Sequence, residues 1–336
     1  MPSSFTSPTH FNIVALETFF TPMPTLSVPS PHTFSLTTYD KTIAAEVPAR
    51  ITDADILITT SVALRAETLS AQVCPRLKLI VVIAAGTDTT DLDACARRGI
   101  RVLSCPNCNK DAVAEHAIAL YFAVRRSIMP TMRGLLADEW PQRGSLMRSV
   151  FMAERPPRAC RDETVAIVGN GAVGKRVSEL CTALGMQVVV AARKGASASE
   201  GKVAFDVALK TATVVFVCCP RTPETMNLLS GPEFVAMPQD AVLVNVSRGG
   251  VVDEGALLTA LKQGDIGGAS VDVFAMEPAS SKTSPLLTEE VKELNLVLTP
   301  HMAWVGGETT ANYHKVLQEN IDGFILGTVQ EERVRA

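Results

Sequence analysis

No apolar run in this 336-residue chain is long enough to span a bilayer. The strongest, LKLIVVIAAG and TVVFVCC, are short and rich in β-branched residues, which suits buried parallel strands. A charge excess is lacking too. Lys and Arg number 31 against 35 Asp and Glu, a formal net charge of −4, so no global field points to nucleic acid or an anionic membrane as partner. Any phosphate binding is therefore local. The N-terminal MPSSFTSPTH has neither the basic start nor the apolar centre of a secretory signal, and no Arg of a transit peptide, so the cytoplasm is the expected compartment.

A disulfide framework is missing as well. The eight cysteines are scattered at 74, 95, 105, 108, 160, 181, 218 and 219, mostly inside apolar segments where a reduced thiol packs as a small hydrophobe. Cys105 and Cys108 form a CxxC in LSCPNCNK, but no second pair or His cluster at zinc spacing accompanies them, and no metal is expected. Short repeats and low-complexity tracts are absent.

What is present is a βαβ rhythm, run twice. After the strand candidate FNIVALE comes TPMPTLSVPSPHTF, where Pro22, Pro24, Pro29 and Pro31 rule out a continuous helix. ADILITT and LKLIVVIAAG then alternate with TDLDACARRG, whose Gly99 suits a helix C-cap before the strand IRVLSC. KDAVAEHAIALYFAVRRSI sets Val113, Ala117, Leu120 and Ala123 or Val124 on one stripe and closes with Arg125 and Arg126, which predicts a helix connecting two domains. A polar excursion follows, from about Met132 to Cys160 with Trp140 inside it, too irregular for a linker and suited to an arm. The rhythm restarts at TVAIVGNGAVGKRV and runs through ATVVFVCCP, DAVLVNVS and GGASVDVF to LNLVLTPH. GGETTANYHKVLQENIDGFILG predicts a closing helix capped by Gly327, with a charged tail expected to fray. The result is an α/β chain of two domains with parallel sheets. They are expected at 1–128, completed by 306–336, and at 129–305, with the arm at 132–160.

Gly169, Gly171 and Gly174 make a GxGxxG directly after an apolar strand and ahead of a helical pattern, with Ala172 and Val173 between them. This is the context of a dinucleotide site, in which the glycines permit a tight turn, backbone approach to a pyrophosphate and close helix packing. About 20 residues further on such sites often place an acid, which binds ribose hydroxyls and repels a 2′-phosphate. Here VVVAARKGAS offers Ala192, Arg193 and Lys194, with Ser197 and Ser199 as neutral donors. Missing repulsion and two cations favour NADP(H) over NAD(H).

Three more strands end in polar residues: VNVSRGGVVDE with Arg248, VDVFAMEP with Asp272 and Glu277, and VLTPHMAW with His301. In an open α/β sheet the carboxyl ends of the strands line the ligand crevice, so these groups can converge. His116, on the connecting helix, is read as structural instead.

In this order and spacing, AAGTDTTDLDACARRGI, AVAEHAIAL, GNGAVG, CPRTPETMNLLS, VNVSRGGVVDEGALLTAL, ASVDVFAMEP and LTPHMAWVGGET resemble the D-isomer-specific 2-hydroxyacid dehydrogenases, from about Leu77 to Gly327. The residues before Leu77 match less well, and the Pro-rich stretch departs from the helix expected there. The resemblance implies a flavodoxin-like substrate domain beside a Rossmann domain, both with parallel sheets, and a homodimer. It implies reduction of a 2-keto acid to the D-2-hydroxy acid, with Arg248 holding the substrate carboxylate and carbonyl and His301 as general acid and base. Glu277 is then the partner that orients His301 and favours its protonated form near neutrality. Ala85 and Gly86 match the loop that holds the substrate carboxylate. Cys219, Pro220, Val246 and Ser247 match the lining of the nicotinamide half, and Asp272 the acid beside its carboxamide. Trp304, in HMAW, would wall the substrate pocket. That segment is similar to those of glycerate dehydrogenases and glyoxylate or hydroxypyruvate reductases, which favours those small keto acids. Two alternatives stand beside this: a reductase of larger or aromatic 2-keto acids, and a nucleotide-sensing protein like the corepressors that share the fold.

Overall fold

A computed structural model of the chain describes residues 7–199, 201–329 and the backbone of 334–335. The chain divides into two compact units, one of residues up to 109 and from 306 onward, the other of residues 110–305.

The first unit opens with β1 (His10–Ala15) and β2 (Thr33–Thr38), which pair in parallel. The Pro-rich segment makes that crossover without a helix, as four prolines within it require. The short helix α1 (Val47–Ile51) leads to β3 (Ile56–Thr59), then β4 (Leu79–Val82), α2 (Leu92–Arg98) and β5 (Arg101–Ser104). β3 and β4 are buried along their whole length, the mark of central parallel strands covered on both faces. Glu17, just past β1, is itself buried. Its carboxylate accepts the backbone N–H groups of Thr60, Ser61 and Val62 and thereby fixes the loop leaving β3.

The second unit begins with α3 (Lys110–Arg125), α4 (Ile128–Leu136) and α5 (Glu139–Arg143); α4 runs into the arm expected at 132–160 and α5 lies inside it. It continues as β6 (Thr164–Val168), α6 (Ala172–Ala183), β7 (Gln187–Val190), α7 (Phe205–Thr211), β8 (Val214–Val217), α8 (Gly231–Ala236), β9 (Val242–Asn245), α9 (Glu254–Gln263), β10 (Gly268–Val271) and β11 (Leu296–Leu298). All neighbours in its sheet are parallel, in the order β11-β10-β9-β8-β6-β7. A lone parallel bridge from Ala191 to Val203 continues past β7. The sheet thus winds outward both ways from the β6/β8 junction.

The sequence suggests a domain break near residue 128, but α3 belongs to the second unit. Its stripe of Val113, Ala117, Leu120 and Val124 packs into one core with Val177 and Cys181 of α6 and with β6, β8 and β9. Arg125, at the C-terminus of α3 as expected, is 1% exposed. It pairs with Glu163 at 2.6 Å and donates to the carbonyls of Asp240 and Thr213 at 2.7 and 2.9 Å. Those three residues precede β9, β8 and β6, so one guanidinium ties together the amino edge of the sheet.

The chain then returns to the first unit as α10 (Thr309–Leu326), ended by Gly327 in the left-handed region, and β12 (Val334–Arg335). β12 pairs antiparallel with β5, where the tail was expected to fray; the open edge of β5 offers backbone groups for it. The first sheet runs β12-β5-β4-β3-β1-β2, whose parallel part is the flavodoxin-like order.

Candidate active site

Loops leaving the carboxyl ends of β6 to β11 carry most of the residues singled out in the sequence. The strand order reverses between β6 and β8, the place where open parallel sheets bind ligands. Gly169 leaves β6 there with φ +106°, and a Cβ on it would lie 2.5 Å from the amide nitrogen of Cys219 beyond β8. Glycine is what lets the two strand ends approach so closely. Gly171 is the N-cap of α6 and brings no capping side chain, so Ala172, Val173 and Gly174 open the helix with N–H groups that no side-chain oxygen covers. The space a Cβ of Gly171 would enter is empty to 4 Å. Partial positive charge, backbone donors and room together fit the pyrophosphate of a dinucleotide.

At the end of β7, Ala191 and Ala192 are buried, and Ala192 donates its N–H to the carbonyl of Val203 at 2.7 Å. Arg193 is exposed. Nearby Glu224 accepts a hydrogen bond from the Thr222 hydroxyl at 2.7 Å; this bond first, and the Arg193 charge more weakly, hold its carboxyl below the usual range. Lys194 departs from the sequence expectation of a cation presented to a phosphate. Its Nζ lies 2.8 Å from Glu233 Oε1 and donates to the Leu228 carbonyl at 3.4 Å, so its charge is balanced within the protein. Lys194 and Ser197 line an open cavity of about 490 Å³ with Phe205, Pro232 and Glu233.

Glu277 and His301 are brought together. Glu277 Oε2 lies 2.6 Å from His301 Nδ1, while Oε1 accepts the N–H of Phe274 at 2.8 Å. Burial works to raise the Glu277 pKa, but the hydrogen bonds to His301 and Phe274, with the charges of His301 and Arg248, outweigh it and lower the carboxyl below its ordinary value. Glu277 is thus a carboxylate at neutral pH. It selects Nδ1 as the proton-bearing nitrogen and leaves Nε2 for chemistry. The histidine backbone stands in the left-handed region, φ +50°, a costly conformation for a side chain other than glycine. Its N–H donates to the Asp272 carbonyl at 2.7 Å.

Arg248 sits on the turn after β9. Asn245, buried at the end of that strand, accepts the N–H and hydroxyl of Ser247 at 3.1 and 2.9 Å and donates to the Arg248 carbonyl at 3.4 Å. The next residue, Gly249, packs backbone to backbone, since a Cβ there would collide with the Phe274 carbonyl. The Arg248 turn is thereby pressed against the segment that carries Glu277.

Asp272 is 1% exposed and both its carboxylate oxygens are taken up inside the protein. Oδ1 accepts the Thr299 hydroxyl at 2.6 Å and the Met302 N–H at 3.0 Å, and Oδ2 accepts the Ala303 N–H at 3.0 Å. His116 Nε2, on α3, lies 3.1 Å from Thr299 Oγ1 and 3.7 Å from Asp272 Oδ1. The sequence suggests a place for Asp272 beside the nicotinamide; in the structure it clamps the loop on both sides of His301. His116 is the outer link of that clamp.

The remaining candidates fall in three groups. Val246 is buried in the core under α3, and Trp304 packs partly buried against the same core. Pro220 is exposed beyond β8, whereas burial pushes the Cys219 thiol up to about 11, which leaves it a poor nucleophile at neutral pH. Ala85 and Gly86 belong to the first unit and follow β4 on the carboxyl edge of that unit's own sheet. Cys105 and Cys108 are buried and form no disulfide. Among the described residues no group of three or more His, Cys, Asp or Glu is arranged to hold a metal ion, and no helix is long and apolar enough to cross a membrane.

Sequence reasoning missed Asn245, Thr299 and Glu233. The first two had a signal, a polar residue at or just past the end of an apolar strand, in VNVSRG and VLTPH. Glu233 sits in Ser230-Gly-Pro-Glu233 and looks like the third helical residue of a capping box, a role it also performs by accepting the Ser230 N–H at 3.1 Å.

The family profile described as D-isomer specific 2-hydroxyacid dehydrogenase, NAD binding domain, matches residues 118–303. A putative 2-hydroxyacid dehydrogenase of Haemophilus influenzae is 35% identical over 304 residues, 89% of this chain and 94% of the relative. The glycerate dehydrogenase of Methylorubrum extorquens is 35% identical over 285 residues, 85% of this chain and 87% of its own. Among solved structures, an acyclic imino acid reductase in complex with NADPH and D-Arg superimposes with a TM-score of 0.76 at 28% identity, covering 97% of this chain and 100% of that one.

Proposed function

This chain belongs to the D-isomer-specific 2-hydroxyacid dehydrogenase family, and we propose that it reduces a small 2-keto acid, hydroxypyruvate or glyoxylate, to the D-2-hydroxy acid with NADPH as preferred donor. The observation that carries this reading is the Glu277–His301 pair at 2.6 Å, beside the Arg248 turn and on the same sheet edge as the pyrophosphate cradle. A bound reduced nicotinamide supplies the hydride. Arg248 binds the substrate carboxylate and draws electron density from the carbonyl with its planar fork of donors. His301, protonated on both nitrogens, gives its Nε2 proton to the carbonyl oxygen as that oxygen becomes an alcohol. Glu277 stabilises the imidazolium before transfer and holds the remaining proton on Nδ1 afterwards. In the oxidative direction the same histidine accepts the alcohol proton. Asp272, Thr299 and His116 hold the His301 loop throughout.

NADPH preference is supported by exposed Arg193 directly after Ala192, at a strand end where an acid is often found. Small substrates are supported by the glycerate dehydrogenase among the relatives and by Trp304 beside the catalytic loop. Eight free thiols fit a reducing compartment, so the reading places the enzyme in the cytoplasm. It also takes the chain to be a homodimer, because Ile128 at the start of α4 and Met132, Leu135, Leu136 and Trp140 of the arm each leave about half or more of their surface exposed. Sedimentation of a monomer at micromolar concentration would remove that part.

The test is a set of initial rates on hydroxypyruvate, glyoxylate, pyruvate and phenylpyruvate, each with NADPH and NADH, for the wild type and Arg193→Ala. A charge-assisted contact is worth about 1.5–3 kcal/mol, so NADPH is expected to be favoured by roughly tenfold to a hundredfold and the variant to lose that preference. Equal use of the two cofactors by the wild type contradicts the NADPH assignment. Preference for phenylpyruvate contradicts the small-substrate assignment.

A further inference from the structure

The basic stretch after β7 meets an acid that the sequence does not bring near it. Glu233, on α8, receives the Lys194 ammonium at 2.8 Å, with 12% of the Glu233 side chain exposed against 48% for Lys194. The other carboxylate oxygen accepts the Ser230 N–H at 3.1 Å, so the acid is held in place by its own helix cap. An ammonium is one charge with three donors, and here one donor goes to Glu233 and another to the Leu228 carbonyl. A phosphate arriving at this strand end therefore meets Arg193 as its cation. Lys194 is already neutralised, and Glu233 adds a like charge behind it.

We propose that Glu233 is a specificity-determining residue: by holding Lys194 in an ion pair it sets the preference for 2′-phosphorylated nucleotides below the level that Arg193 and Lys194 together would give. The proposal rests on the reading of Arg193 as a ligand of the 2′-phosphate. Glu233 opposes the phosphorylated cofactor and is neutral toward NAD, which has a hydroxyl at that carbon. Glu233→Gln removes the charge while keeping an oxygen for the Ser230 N–H, so the cap of α8 is retained.

The experiment measures dissociation constants of NADP⁺ and NAD⁺ by calorimetry on the full chain. The proteins are the wild type, Glu233→Gln, Lys194→Met, Arg193→Ala and the double variant Glu233→Gln with Lys194→Met. Glu233→Gln is expected to bind NADP⁺ about fivefold more tightly and NAD⁺ within about twofold of wild type, a gain typical of releasing one partly exposed ion pair. The double variant is expected to lose that gain. NADP⁺ binding that is unchanged or weaker in Glu233→Gln, while Arg193→Ala still weakens it, overturns the role of Glu233 and leaves the basic site standing. NADP⁺ binding unchanged in Arg193→Ala overturns the underlying reading and the proposal with it. Should Glu233→Gln fail to fold, Glu233→Ser decides by the same readout: tighter NADP⁺ binding with NAD⁺ little changed supports the proposal, and NADP⁺ binding that is unchanged or weaker while Arg193→Ala still weakens it overturns it.

Discussion

Asp272→Asn separates a clamp on the catalytic loop from a contact to the cofactor. The carboxylate offers one oxygen to the Thr299 hydroxyl and the Met302 N–H, and the other to the Ala303 N–H. An amide has one acceptor oxygen, so in the variant an NH₂ group faces at least one buried donor. Leaving such a donor unsatisfied costs about 1–3 kcal/mol, and replacing charge-assisted bonds by neutral ones removes about 1 kcal/mol more. A loss of roughly 2–4 kcal/mol in a unit of this size lowers the melting temperature by about 5–15 °C. The His301 N–H keeps its bond to the Asp272 carbonyl, so the loop is loosened and not released. Loosening His301, the proposed general acid, is expected to lower kcat about tenfold or more, while the dissociation constant of NADP⁺ stays within about twofold. Calorimetric melting, steady-state rates and cofactor titration on the same preparation give all three quantities. An unchanged melting temperature with weakened cofactor binding would refute the clamp and return Asp272 to the nicotinamide.

Three further outcomes follow from named contacts. Glu277→Gln keeps an acceptor for the Phe274 N–H but puts an amide NH₂ in place of the carboxylate oxygen 2.6 Å from His301 Nδ1; kcat for reduction is expected to fall about tenfold, with the NADPH dissociation constant within about twofold of wild type. Steady-state rates and cofactor titration check it. Arg125→Met leaves buried Glu163 without its cation and is expected to destabilise the second unit by about 3–5 kcal/mol in urea unfolding, with kcat of the surviving folded protein little changed. Asp55 is subject to burial, which raises its pKa, but the Asn12 N–H, Arg76 and Lys78 together lower it. A depressed carboxyl contributes stability above its unfolded pKa of about 3.9 and loses it as pH falls through the folded value, so Asp55→Asn should cost about 1–2 kcal/mol at pH 7 and progressively less below about pH 4.

The strands were legible because parallel sheets bury both faces: ILIT, LIVV and VVFV stand out as largely apolar runs whatever surrounds them. β2 was not, because TFSLTT is an edge strand half open to solvent and its pattern resembles a polar loop. The break between the units was misplaced because the apolar stripe of α3 shows that the helix is packed but not against which sheet. At the site, Glu277 and His301 were readable from motif order, and the structure supplies the hydrogen bond between them. Lys194 shows the opposite case. Its charge is visible in the sequence, but its neutralisation by Glu233 depends on how α8 folds back beside the end of β7. Asp272 stood out as the acid that closes an apolar strand, whereas its bonds to Thr299, Met302 and Ala303 depend on how the loop around His301 folds back.

In the proposed reaction His301 exchanges the proton with substrate while the other site residues bind and orient. Wild type and His301→Asn, compared for kcat/KM with hydroxypyruvate and NADPH and for the NADPH dissociation constant by fluorescence, decide this. Removing a positioned general acid costs about 10²–10⁴-fold, so kcat/KM is expected to fall by that factor with cofactor affinity unchanged. A variant that retains wild-type turnover on hydroxypyruvate would contradict the account.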